Sequence, residues 1–152
     1  MRLFPKPLHI TQKYFNFTSA CSIINIIVMN SKVLPYYDSA SGIFYKNYFG
    51  DILLENIISS WEEIIKQKLI PNHVNKFIIN YKEAKILFSP DKAKEIANFY
   101  KNNDTIFAKS KIAMVMETPD QIVFPHLVEL ESVNFTVRAF YTLEAAKYWL
   151  QE

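Results

Sequence analysis

From residue 33 onward, short β-prone runs alternate with segments whose apolar residues recur at three- and four-residue steps. That alternation restricts the fold more than any other feature of the chain. Two strands separated by a helix cannot meet as a hairpin, so they pair in parallel through right-handed crossovers. The first two strand-like runs are the exception. Val33–Asp38 and 43–49 are joined by the small-residue turn Ser39-Ala40-Ser41-Gly42, which predicts an antiparallel hairpin.

The rest follows segment by segment. Asp51 is placed to cap a helix running to about Lys68, with Leu54, Ile57, Ile58, Trp61, Ile64 and Ile65 forming one apolar stripe. Glu62 and Glu63 fall off that stripe and read as a solvated face. Residues 74–81 form a buried strand, followed by the polar stretch Lys82-Glu83-Ala84-Lys85. Ser89 then reads as an N-cap with Pro90 at the first helical position, opening a helix to about Lys101 that Asn102-Asn103-Asp104 closes. Residues 111–117 make a further strand. Thr118-Pro119-Asp120-Gln121 has capping-box spacing, and Pro125 either kinks the helix that follows or delays its start. Residues 135–141 are the last strand, and Thr142 caps a final helix to Leu150. The predicted order, β-β-α-β-α-β-α-β-α, describes an α/β domain. Its mixed sheet is mostly parallel, with an antiparallel N-terminal hairpin at one edge and helices packed against it.

Residues 1–32 differ in character. They contain Arg2, Lys6, Lys13 and Lys32 and no acidic residue, and their apolar run, 20–29, includes Asn25. Ten residues are too few to span a bilayer, and no small-residue cleavage site follows the run, so no membrane span or secretory signal is expected. The segment reads as an N-terminal extension to one domain at 33–152. It either adds a strand at 23–28 or precedes a translation start at Met29, the reading preferred here.

Little in the sequence points to reaction chemistry. The lone Cys21 excludes an internal disulfide and fits a reducing, cytoplasmic setting. His9, His73 and His126 lie far apart and no CxxC or HExxH spacing occurs, so no metal site is expected. His126 reads as a packed core residue. The absence of a Gly-rich loop before a helix argues against dinucleotide or nucleotide cofactors, and no cofactor is expected. Residues 33–152 carry 13 basic and 15 acidic residues, with no basic stripe for nucleic acid. The only two glycines, Gly42 and Gly50, stand where turns are expected and are assigned to backbone geometry.

Four segments carry a resemblance: the hairpin VLPYYDSASGIFYKNYFG, the strand and cap FIINYKEAKILFSPDKAKEIANFY, the strand-turn KIAMVMETPDQ, and the ending VRAFYTLEAAKYWL. Together, over about residues 33–150, they resemble the STAS domain of bacterial anti-sigma-factor antagonists, with its SpoIIAA-like fold. They look closer still to the divergent STAS/SEC14-like proteins of bacteria. The resemblance implies a cytoplasmic, non-catalytic regulatory domain. In STAS domains that switch by phosphorylation, a Ser at the start of the helix after the central strand accepts the phosphate. Ser89 is the nearest counterpart, although the D-S-[SG] stretch is missing, and the plain reading of Ser89 is a helix cap.

Two binding roles follow as expectations. In the first, Tyr81, Lys82, Ser89, Asp91, Thr118 and Asp120 form a surface that docks a protein partner, or a second copy of the chain. Such strand ends are where open α/β sheets bind ligands. In the second, the aromatic hairpin residues Tyr36, Tyr37, Phe44, Tyr45, Tyr48 and Phe49 line a pocket for a lipid or another apolar small molecule. A small hydrolase is a third and weaker reading, since no nucleophile–base arrangement is visible.

Overall fold

The computed structural model describes residues 32–152. The extra strand at 23–28 and the start at Met29 lie outside the described residues. Five strands line up in the order in which the chain makes them: β1 (Val33–Asp38), β2 (Ile43–Ile52), β3 (Lys76–Ile86), β4 (Lys111–Val115) and β5 (Thr136–Phe140). β1 and β2 are antiparallel, with Val33 opposite Tyr48 and Asp38 opposite Ile43, and each later pair is parallel. The predicted mixed α/β sheet with its antiparallel edge is the observed one.

The helices are α1 (Leu54–Lys66), α2 (Ala93–Asn102), the single turn α3 (Asp104–Phe107), α4 (Val123–Leu130) and α5 (Leu143–Gln151). Alternation along the strands sends successive side chains to opposite faces of the sheet, giving two unequal cores. The larger joins Phe44, Tyr48, Phe77, Ile79, Ile112, Met114 and Val137 to the inner stripes of α1, α2, α3 and α4. The smaller joins Ile43, Tyr45, Ile78, Ala113 and Val115 to Ala146, Trp149 and Leu150 of α5. Trp61 is the hub of the larger core, meeting Phe77, Tyr100 and Phe107 edge-to-face at 5.2–6.2 Å between ring centroids. No helix among the described residues is long and apolar enough to cross a membrane.

Several local expectations are corrected. Asp51 does not cap α1; it lies inside β2, which runs on to Ile52. The N-cap position is Leu53, whose N–H donates to Asn56 Oδ1 at 2.8 Å. Lys82-Glu83-Ala84-Lys85 is not a connection but the last part of β3. The turn α3 was not foreseen. It occupies the link between α2 and β4, which ends with Lys109 in left-handed backbone at φ 61°. Of the two outcomes expected for Pro125 the later start is observed: a 3₁₀ turn fills Pro119–Ile122 and α4 begins at Val123, so the proline occupies the first turn, where its missing N–H has no partner to lose. His126 is exposed on α4, its Nδ1 3.6 Å from Glu129, and is not a core residue. Thr142 caps α5 as expected, its Oγ1 accepting from the Ala145 N–H at 3.2 Å.

Candidate functional site

The parallel strands all end on one rim of the sheet, and two backbone irregularities shape it. Between Asn47 and Phe49 the β2–β3 register shifts, so Tyr48 alone faces Tyr81 and Lys82, a bulge that changes the phase of β3 beyond Tyr81 and keeps Ala84 and Ile86 on the side of the larger core. Two residues later Gly50 takes φ 70°, a left-handed conformation that favours glycine. Beyond this point β2 and β3 continue as a two-stranded ribbon past Asn80–Val115, the last pair of β3 with β4. At its tip the Leu87 N–H donates to the Ile52 carbonyl at 2.9 Å, and the side chains of Leu53 and Leu87 are exposed.

Two matching turns complete the rim. Ser89-Pro90-Asp91 follows β3 and Thr118-Pro119-Asp120 follows β4; each leads into a short 3₁₀ turn ahead of α2 or α4. Gln121 ties the second turn to the ribbon. Its Oε1 accepts from the N–H groups of Glu117 (3.0 Å) and Thr118 (3.2 Å), and its Nε2 donates to the Ala84 carbonyl (3.3 Å). Lys82 and Glu117 add an ion pair at 3.5 Å, half-exposed and therefore weak on its own. Phe88 and Phe124 meet edge-to-face at 5.4 Å beneath the turns.

Of the expected surface residues, Lys82, Ser89, Asp91, Thr118 and Asp120 do share this rim, with Lys82 half-buried and the others exposed. Tyr81 does not. Alternation along β3 puts it on the face of Phe77 and Ile79, in the larger core, where it stacks on Tyr48 (4.8 Å) and takes the edge of Phe124, with no exposed surface. Ser89 holds the N-cap position, yet its side chain makes no capping bond and stands free in solvent. The sequence reading missed the apolar members of the rim: Leu53, Leu87 and Val123, all exposed. Their signal was available, since each is a large apolar residue just beyond a strand end or a capped turn. Among the described residues no group of His, Cys, Asp and Glu is arranged to hold a metal ion.

The hairpin aromatics do not frame one pocket. Phe44 and Tyr48 pack into the larger core against Trp61, Phe77 and Tyr81, while Tyr45 stacks on Tyr36 at 4.6 Å on the opposite face. Between Phe44 and Tyr48, on the same face, lies a residue that the sequence reading passed over. Lys46 is completely buried. Its Nζ sits 3.9 Å from the Trp61 ring centroid and 5.0 Å from that of Tyr48, and donates one long bond, 3.4 Å, to the Ile57 carbonyl. Burial holds its pKa well below the usual lysine value. Burial likewise pushes the hydroxyls of Tyr48, Tyr81 and Tyr100 upward in pKa, and Tyr48 and Tyr81 are raised further by neighbouring tyrosines.

Comparison of the sequence finds no matching protein-family profile and no matching curated protein. Comparison of the structure finds an uncharacterized protein of the DUF3478 family with a SpoIIAA-like fold, from Shewanella loihica PV-4. The two superpose with a TM-score of 0.54 over 78% of this chain and 91% of that one, at 12% sequence identity. The fold is SpoIIAA-like. Within this SpoIIAA-like sheet Ser89 opens the helical segment after β3, the middle strand of five.

Proposed function

We propose that the chain is a non-catalytic regulatory domain that docks a protein partner on the rim between the ribbon tip and the Ser89 and Thr118 turns. The observation carrying this reading is the composition of that rim. Leu53, Leu87 and Val123 expose apolar side chains beside Lys82, Asp91, Glu117 and Asp120, and Gln121 ties the ribbon and the second turn together. Apolar anchors within a polar border describe a protein interface more closely than a reaction centre. The acidic balance of residues 33–152 favours a protein over nucleic acid. Ser89, exposed and free of any capping duty, is available for modification, and phosphate there would add charge at the centre of the docking surface.

The test places a photo-reactive side chain at Leu87 in the full-length chain, expressed in its own host, with the same group at exposed Tyr148 on α5 as the control. One polypeptide, either a distinct partner or a second copy, should be captured at position 87 and not at 148, and Val123→Asp should abolish the capture. Equal capture at both positions, or capture insensitive to V123D, refutes the rim as the docking site.

A further inference from the structure

At the end of the sheet away from the rim, where β3 and β4 begin, lies an open cavity of about 330 Å³ whose lining includes Asn75, Lys76, Lys109, Lys111, Gln151 and Glu152. Lys76 and Lys111 are register partners, the first residues of adjacent parallel strands, so they stand abreast about 5 Å apart at the backbone. Like charges placed side by side in this way repel. Their contacts are with neutral groups at the C-terminal end of α5. Lys111 Nζ donates to the Trp149 carbonyl at 3.2 Å, and Lys76 Nζ to Gln151 Oε1 at 3.0 Å. Arg138 adds a further cation nearby, since it and Lys111 both lie over the Trp149 ring, 5.3 and 5.2 Å from its centroid. Among the described residues none of the three cavity lysines forms an ion pair. Residues 1–32 contain no acid that could supply one.

The third lysine stands where the backbone disfavours it. Ala108 has φ −58° and ψ 133°, Lys109 has φ 61°, and the Ser110 N–H donates to the Phe107 carbonyl at 3.0 Å. This is a type II turn with lysine at the position that glycine or asparagine ordinarily takes. The end of α5 accounts for Lys76 and Lys111 but not for Lys109, which is exposed. Left-handed backbone on a non-glycine residue concentrates where a site requires that side chain. We infer that Lys76, Lys109 and Lys111 form a site for a phosphate or diphosphate group carried by a small molecule. Three cations against one acid, Glu152, leave the lining with a charge of +2, which a dianion balances. The volume is at the small end for ligand sites and suits a compact head group. Lysine binds phosphate as a point charge, and each ammonium has three donors, so Lys76 and Lys111 keep two after their contacts with α5. The site and the docking rim occupy opposite ends of the parallel strands and do not depend on one another.

The experiment titrates the full chain with sodium pyrophosphate at low ionic strength and follows each backbone amide by NMR. Saturable shifts should concentrate at residues 75–76, 109–111 and 150–152. Lys109→Gly removes one ammonium and relieves the turn. It should therefore bind pyrophosphate about tenfold more weakly, while melting no lower than the wild type. Lys76→Met should weaken binding to a similar degree, and Lys94→Met, on the exposed side of α2, should leave it unchanged. Shifts that do not saturate, or that spread equally over Lys94 and other exposed lysines, overturn the proposal. So does wild-type affinity in K109G, the result expected if these lysines serve only to close the end of α5. If K76M fails to fold, the wild-type titration and K109G still decide the matter.

Discussion

Replacing Lys46 with methionine should make the protein more stable at neutral pH and should flatten its pH dependence. The structure gives the sign. Burial lowers the folded-state pKa of Lys46 below its unfolded value, so between the two the unfolded chain binds the extra proton. Stability is then highest above the unfolded lysine pKa and is lost as pH falls through the folded one. Within that window the wild type should lose up to about 1.4 kcal/mol per pH unit, the value of one proton. Lys46→Met removes that proton and with it the slope. It also removes the stacking of the ammonium on Trp61 and Tyr48, worth about 2 kcal/mol when desolvated, and one long hydrogen bond. Against this stands a buried ion without a counter-charge, which costs several kcal/mol, so a gain of about 1–4 kcal/mol is expected near neutrality. Above about pH 10 the trend reverses. The tyrosines Tyr48, Tyr81 and Tyr100, raised by burial, keep their protons in the folded state only, and both proteins should then lose stability in parallel. The assay is urea unfolding followed by tryptophan fluorescence from pH 6 to 11 in halide-free buffer. A wild-type slope equal to that of K46M below pH 10 would refute the buried-amine argument.

Three further outcomes are expected. Gln121→Ala removes two accepted and one donated hydrogen bond at the second turn and should cost about 1–2 kcal/mol in chemical denaturation; it should also speed amide exchange in residues 83–86, and unchanged exchange there would mean the ribbon does not depend on the tie. Gly50→Ala should cost about 1–2 kcal/mol from backbone strain alone, because a Cβ at that position meets no neighbouring atom and the penalty comes from φ; a neutral thermal shift would contradict it. A chain starting at Met29 should match the full-length protein in melting temperature and solubility, and loss of either would show that residues 1–28 belong to the folded unit.

The sequence was legible where local pattern and burial agree. β1 has the predicted bounds, and the α1 stripe of Ile57, Trp61 and Ile64 is buried as its spacing requires. The ends of β2 and β3 were harder to read because the ribbon is covered on one side only. Lys82-Glu83-Ala84-Lys85 has three charged residues and no large apolar one, which fits a half-exposed strand as well as a loop, and Gly50 serves a kink within a strand rather than a turn after it. Tyr81 ends the strand expected from the sequence and so reads as a rim residue, yet the alternation that buries Phe77 and Ile79 carries it to the same core face. Lys46 could have been found. In the run Phe44, Lys46, Tyr48 the lysine occupies a core-facing position by simple alternation, and only the habit of assigning lysine to solvent hid it.

The strand order β1-β2-β3-β4-β5 also sets how the chain is assembled. Each strand finds its partner in the one made just before it, so no strand waits for a later segment to fill a gap beside it. Separations along the chain between paired strands stay short, which favours rapid folding. During synthesis the hairpin can close first, α1 and β3 can dock on it, and each later helix–strand unit can add to a finished edge. Once residues up to 107 have emerged from the ribosome, a three-stranded sheet exists with α1 to α3 already able to cover its larger core. The growing edge and the sheet face bearing Ile43, Tyr45 and Ile78, which α5 covers last, are then the surfaces awaiting a partner.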